Sequence, residues 1–268
     1  LAALRNDEKR EGNKQSFIAF ADPFFSAAQA NKAQATQKSA QVLATRGLPL
    51  RLRSAPKTSN VSSAELALLP ALPDTSVEVR EIGKVLGASD ADLHLHDQAS
   101  VQKVMQTDFS NKSIVMFSTH GLIPGELDGL TQPALALTNP EVRNAKGDGL
   151  LKVDTILTLK LDADWVVLSA CNTAAGEGEG AEALSGLGRA FFFAGARAIL
   201  VSSWPVDSEA SRKLMTDLFK RYTQDKNKPQ ALQQASLQLM NNGVPDDSKA
   251  RYTYAHPLFW APFTMVGN

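Results

Sequence analysis

The chain has 268 residues, and 43% of them are hydrophobic. This length and composition predict a globular protein with a substantial core and exclude collagen-like or disordered statistics. Because 28 basic residues balance 28 acidic ones, no global field attracts nucleic acid or an anionic membrane surface, and we expect neither as a partner.

Short β-type runs alternate with longer helical patterns, which predicts an α/β sheet layered by helices. The first strand falls in "SFIAFADP", and the polar segment at about 27–60 is expected to be a surface insertion, partly helical or disordered. "PDTSVEVREIGKVLG" predicts an amphipathic helix that is capped by Asp74 or Thr75 and ends at Gly87. Its apolar residues are expected on one face: Val77, Ile82, Val85 and Leu86.

The middle of the chain carries four predicted strands, of which two are long and apolar. "DLHLHDQAS" predicts a short strand followed by a helix near 101–105, and "KSIVMFSTHG" predicts a buried strand that runs out at His120. "ALALT" predicts another strand, and "GDGLLKVDTILTLKLDAD" predicts a helix that leads to the strand "WVVLSAC".

The last third continues the alternation. "AEALSGLGRAFFFAGA" predicts a helix, "RAILVSSWPV" a strand, and the following stretch a helix that opens at Asp207. "KPQALQQASLQLMNN" predicts a further helix, and "HPLFWAPFTMVG" supplies a final edge strand.

Two strands end in residues that carry chemistry, His120 and Cys171. Because parallel strands finish at the same edge of a sheet, we expect these side chains to meet there. An imidazole manages protons near neutral pH, and a thiol beside it gains thiolate character. The backbone N–H groups of Gly121 and Cys171 are candidates for stabilising an oxyanion, since Gly121 has no Cβ to obstruct the approach.

Other interpretations remain open at this point. A lone cysteine is often a small buried residue at the end of a strand. His94, His96 and His256 are alternative bases, but "SACNT" lacks the glycines of a G-x-S-x-G elbow, and we interpret His256 as structural. "GEGEGAEAL" lacks the Lys-Ser/Thr ending of a phosphate-binding loop, and one cysteine without C-x-x-C or H-x-x-x-H spacing does not predict a metal site; we expect no cofactor.

The motifs "STHG", "LSACNT", "GEGAEALSGLGRAFFFAGARAILVSSWPVDSEAS", "LMTDLF" and "HPLFWAPFTMVG" resemble the CHAT domain, a caspase-like module often found downstream of tetratricopeptide repeats. The resemblance covers about residue 75 to the end, with a weaker match at "FADP". It implies a caspase-hemoglobinase-like α/β/α sandwich with a central, mostly parallel sheet, formed by an N-terminal part at 1–74 and a catalytic core at 75–268. It also implies a Cys171 nucleophile, a His120 base and an oxyanion N–H at Gly121.

The expected function is a cysteine endopeptidase that cleaves a protein substrate through a dyad, since no third residue is evident to orient the imidazole. Acidic residues near the predicted cleft favour a basic side chain before the scissile bond. They are Asp207, Glu177, Glu179, Glu126 and Asp128, of which Asp207 is equally well explained as a helix cap.

The context of the domain follows from other features of the chain. It begins at leucine, which suggests a piece of a longer protein that carries a repeat or other sensor region. The absence of an internal disulfide favours the cytoplasm, and no apolar run reaches the roughly 18–20 residues of a membrane span. The alternative function is a non-proteolytic signalling or interaction module on the same scaffold.

Overall fold

A computed structural model describes residues 16–38, 63–127, 130–169, 179–204, 207–246 and 252–267, with the backbone alone at 34–38, 63–65 and 179–185. The strands in these ranges are β1 (Phe17–Ala21), β2 (Leu93–Leu95), β3 (Ile114–Ser118), β4 (Gly121–Leu122), β5 (Ala134–Ala136), β6 (Leu150–Lys152), β7 (Trp165–Leu168), β8 (Ala198–Ser202) and β9 (Phe263–Gly267). The helices are α1 (Ala27–Lys38), α2 (Pro73–Leu86), α3 (Val101–Gln106), α4 (Val153–Ile156), α5 (Glu179–Phe193), α6 (Ser208–Asp225) and α7 (Lys228–Asn242).

Six strands form the central sheet in the order β2-β1-β3-β7-β8-β9. All neighbouring pairs are parallel except β8 and β9, which are antiparallel at one edge. A second, antiparallel sheet has the order β4-β5-β6 and begins directly after the end of β3. The chain that leaves β3 therefore turns at once into this small sheet.

The side chains of β3 alternate between two hydrophobic cores. Ile114 and Met116 pack in a core with residues of α2, α6 and α7, whereas Val115 and Phe117 pack in a core with residues of α3, α4 and α5. This alternation follows from the two-residue period of a strand. The predicted α/β/α sandwich with a central, mostly parallel sheet is confirmed.

Helix α2 has the predicted extent, and Ile82, Val85 and Leu86 pack in or against the core as predicted, but Val77 does not. Val77 is 47% exposed, and Glu78 is fully buried at 0%. The helix begins at Pro73 after Leu72, without a side-chain cap, and ends at Gly87 in the left-handed conformation that glycine adopts without strain. Hydroxyl groups from other elements reach Glu78, which explains why a carboxyl group occupies the buried face.

The segment around "LLKV" is a second difference. We predicted a helix, but 150–152 form β6 and only one helical turn follows. Leu151 is fully buried in the core that contains Val115 and Phe117, and its strand pairs with β5. Burial and strand pairing therefore outweigh helix propensity in this segment. The segment expected as an insertion at about 27–60 begins with α1, and its part at 39–60 lies outside the described residues.

Residues on both sides of position 74 build one sheet, because β1 lies between β2 and β3. Among the described residues, no helix is both long enough and apolar enough to span a membrane.

Candidate functional site

The ends of β3 and β7 form one edge of the central sheet. Their pairing runs in register from Ile114 opposite Trp165 to Phe117 opposite Leu168, and the N–H of Ser169 donates to the carbonyl of Phe117 at 3.0 Å. His120 follows β3 by two residues, and Cys171 follows Ser169 by two residues in the sequence. Cys171 lies outside the described residues, and the Cys171–His120 dyad stays a prediction.

His120 is fully buried, and its imidazole is held on two sides. Its Nε2 lies 2.9 Å from the carbonyl oxygen of Pro70, and the ring packs against Phe25 with centroids 5.3 Å apart. A carbonyl oxygen only accepts hydrogen bonds, so we assign the Nε2 proton to this contact. In the neutral ring Nδ1 is then the basic nitrogen.

The Pro70 carbonyl orients the imidazole, which sequence reasoning missed. Leu66 and Leu69 anchor the preceding turn in a small hydrophobic cluster that also contains Phe25. A backbone acceptor carries no side-chain signature, so no sequence signal identifies it. Only the packing of Leu66 and Leu69 in this cluster places the carbonyl beside His120.

The turn after β3 is tied to the small sheet. The Thr119 hydroxyl donates to the carbonyl of Ala136, and the Ala136 N–H donates to the carbonyl of His120 at 2.9 Å. Gly121 follows at once as the first residue of β4 and is opposite Leu135. The oxyanion role of Gly121 and Cys171 stays a prediction.

A contact between a histidine and a carboxylate lies at the same edge of the central sheet, where β1 and β2 end. Nδ1 of His96 is 3.4 Å from the Asp22 carboxylate, and both residues have left-handed backbones with φ of 55° and 49°. Burial raises the pKa of Asp22, and the neighbouring His96 opposes that rise. The His96 ring also stacks on Phe24 with centroids 4.9 Å apart, so this imidazole is held between Phe24 and the Asp22 carboxylate.

The other two histidines have structural surroundings. His94 is 8% exposed and packs on Phe20, and burial lowers its pKa to about 4, with a smaller contribution from Lys103. It is therefore neutral at physiological pH. His256 is exposed, and its Nδ1 accepts from the N–H of Leu258 at 3.1 Å in the turn before β9.

Two of the five predicted acidic residues, Asp207 and Glu126, are described at side-chain level, and each accepts a hydrogen bond from a backbone N–H. Asp207 is 6% exposed, and its carboxylate accepts from the N–H of Ala210 at 2.9 Å as the N-cap of α6. Glu126 accepts from the N–H of Ile123 at 2.8 Å. The remaining three are not described at side-chain level: Glu177 and Asp128 lie outside the described residues, and Glu179 has only its backbone described. Within the described ranges, no three His, Cys, Asp or Glu side chains are grouped to hold a metal ion.

The class of protein follows from the fold of the central sheet and the position of His120. A mostly parallel sheet between two helix layers, with a histidine just beyond one inner strand, is the arrangement of a caspase-like sandwich. The family model for the CHAT domain matches residues 1–268, and the chain belongs to this caspase-like, peptidase-related family. The family resemblance read from the motifs is confirmed, and the match includes the N-terminal part.

A relative among characterised proteins is mouse (Mus musculus) "Tetratricopeptide repeat protein 28", which is 34% identical over 119 residues. The similar region is 44% of this chain and 4% of that protein. The chain therefore matches only a small part of a much longer relative.

Proposed function

We propose that the chain is a cysteine endopeptidase domain in which Cys171 is the nucleophile and His120 transfers protons. The observation that carries the proposal is the buried His120, held by the Pro70 carbonyl at the end of a strand whose parallel neighbour leads in sequence to Cys171. The matching family, which is peptidase-related, supports the same chemistry.

The proposed reaction begins when the Cys171 thiolate attacks the carbonyl carbon of a peptide bond and a C–S bond forms. The N–H groups of Gly121 and Cys171 donate to the resulting oxyanion. Because Nε2 of His120 donates to Pro70, Nδ1 carries the transferable proton and gives it to the leaving amine as the C–N bond breaks. Water then attacks the thioester, Nδ1 accepts its proton, and the carboxylic product leaves the regenerated thiolate.

The proposed substrate is a protein with a basic residue before the scissile bond, received by the acidic residues near the cleft. Fluorogenic peptides that differ only at that position test this preference. Faster cleavage after a neutral residue than after Arg or Lys would refute it.

We further propose that a repeat or sensor region elsewhere in the parent protein gates the domain in the cytoplasm. The similarity to a protein named for its tetratricopeptide repeats supports this association. Cleavage by the parent protein with and without that region measures the gating, and equal rates would contradict it.

The decisive experiment uses the longer parent protein with Cys171→Ala and with His120→Ala, co-expressed with candidate substrates. Both variants are expected to lose cleavage. The matched control is His256→Ala, which removes an exposed histidine and is expected to retain cleavage activity. Undiminished cleavage in both variants would refute the peptidase assignment, and no cleavage by the activated wild type would favour the signalling module.

A further inference from the structure

A buried carboxyl group joins the two strand ends that precede the proposed dyad. Glu78 is fully buried on α2, and the hydroxyl of Ser118, the last residue of β3, donates to its Oε2 at 2.6 Å. The hydroxyl of Ser169, immediately after β7, donates to its Oε1 at 3.0 Å. The hydroxyl of Ser211 on α6 also donates to Oε1 of Glu78, at 3.5 Å. One side chain thus connects two helices and two strands.

The position of this contact along the strands matters. Ser118 stands two residues before His120, and Ser169 stands two residues before Cys171. The N–H of Ser169 also donates to the carbonyl of Phe117, so the strands are still paired at this level. Glu78 therefore contacts both strands at their last paired position, just before the backbone continues to His120 on one side and to Cys171 on the other.

Packing alone does not explain a carboxyl group here. Its neighbours on the buried face of α2 include Val79 and Ile82, both fully buried. An apolar side chain of similar volume would fill the same space without the cost of removing a carboxyl group from water. What an apolar residue does not supply is direction, because hydrogen bonds hold both serine hydroxyls at one spacing.

We propose that Glu78 is a positioning residue, which holds Ser118 and Ser169 together and so sets the spacing at which His120 and Cys171 act on each other. This inference rests on the proposed function, since it concerns the same dyad. Glu78 is proposed to act through the strand ends that its partners Ser118 and Ser169 occupy.

The test measures alkylation of Cys171 by iodoacetamide in the parent protein, located by peptide mass spectrometry, and needs no substrate. Thiolate reacts and thiol does not, so a thiolate stabilised by His120 reacts at about pH 6, where an ordinary thiol is almost inert. His120→Ala is expected to react about tenfold more slowly at that pH. At about pH 10 both proteins are expected to react alike, because the thiol is ionised in each.

The serine variants isolate the positioning effect. Ser118→Ala and Ser169→Ala each detach the carboxyl group from one strand and are expected to slow alkylation at about pH 6 by about threefold or more, with little change at about pH 10. The matched control is Ser211→Ala, which removes a hydroxyl from the same carboxyl group on the helix side and is expected to leave the rate unchanged. Glu78→Gln keeps one acceptor oxygen and replaces the other with an NH2 donor, which the second serine hydroxyl can accept from, so this variant is expected to retain the wild-type profile.

Each alternative outcome is distinct. Wild-type profiles in both strand variants, beside a slow His120→Ala, would overturn the positioning inference and leave the dyad intact. An equal loss in Ser211→Ala would also overturn it, because the effect would then be general loosening of the fold. A wild-type rate in His120→Ala would refute the dyad itself. If one strand variant does not fold, as judged by its melting temperature, the other strand variant decides the question.

Discussion

Asp207 is the residue whose two predicted roles a pair of substitutions separates. Its backbone is extended, and its carboxylate accepts from the N–H of Ala210 at 2.9 Å at the start of α6. Asp207→Ala removes this acceptor, and loss of such a cap costs about 1 kcal/mol. For a domain of this size that corresponds to a fall in melting temperature of about 2–4 °C. Asp207→Asn keeps an acceptor oxygen and is expected to cost only about a few tenths of a kcal/mol.

The assay combines urea unfolding of both variants with cleavage of peptides that carry Arg or a neutral residue before the scissile bond. If Asp207 also receives a basic side chain, Asp207→Asn lowers kcat/KM for the Arg peptide alone, at nearly wild-type stability. Glu209→Gln controls for loss of a negative charge in the first turn of the same helix. An asparagine variant as unstable as the alanine variant would refute the capping argument.

Three further predictions concern stability. Burial lowers the pKa of His94 to about 4 in the folded protein, so as the pH falls the histidine is protonated in the unfolded chain before it is protonated in the folded one. The free energy of unfolding is therefore expected to fall by at most about 2 kcal/mol between pH 7.5 and 5 because of this residue. Urea titrations of His94→Gln should show a smaller fall, and an equal one contradicts this. Gly195 has a φ of +113°, and a Cβ added there would lie 2.1 Å from the carbonyl oxygen of Leu161. Gly195→Ala is therefore expected to lower the free energy of unfolding by about 3 kcal/mol, and an unchanged melting temperature contradicts this. Because burial raises the pKa of Asp22, its charge opposes folding as pH rises above about 4. Asp22→Asn is therefore expected to be more stable than the wild type in urea unfolding at pH 7 and to lose that advantage at pH 3, where the carboxyl group is protonated; lower stability than the wild type at pH 7 contradicts this.

The extent of the elements was readable from the sequence where local patterns dominate. Continuous apolar runs predicted β3 and β7 correctly, and Asp207 was correctly predicted as the opening of α6. The expectation that β3 and β7 are parallel, with ends at one sheet edge, is confirmed by their direct pairing. Right-handed crossovers and alternating elements are general enough to carry that prediction.

The misjudged positions depend on contacts that are distant in the sequence. Hydrophobic periodicity places Val77 inward, yet the hydroxyls that satisfy Glu78 come from Ser118 and Ser169, which no local pattern on α2 announces. The Pro70 carbonyl is invisible for a related reason, because every residue has one. Polar contacts between distant elements therefore decide the details of this site, and sequence periodicity does not report them.

The place of β1 in the sheet has a consequence for synthesis of the chain. All five of its residues are buried, and its partners β2 and β3 both come much later in the sequence. At a translation rate of about 5–20 residues per second, the roughly 70 residues between β1 and the start of β2 take about 4–14 s to appear. During that delay "FIAFA" has neither of these strands to pair with. The polar segment after α1 lengthens the interval in which this apolar strand is open to chaperones or to other nascent chains.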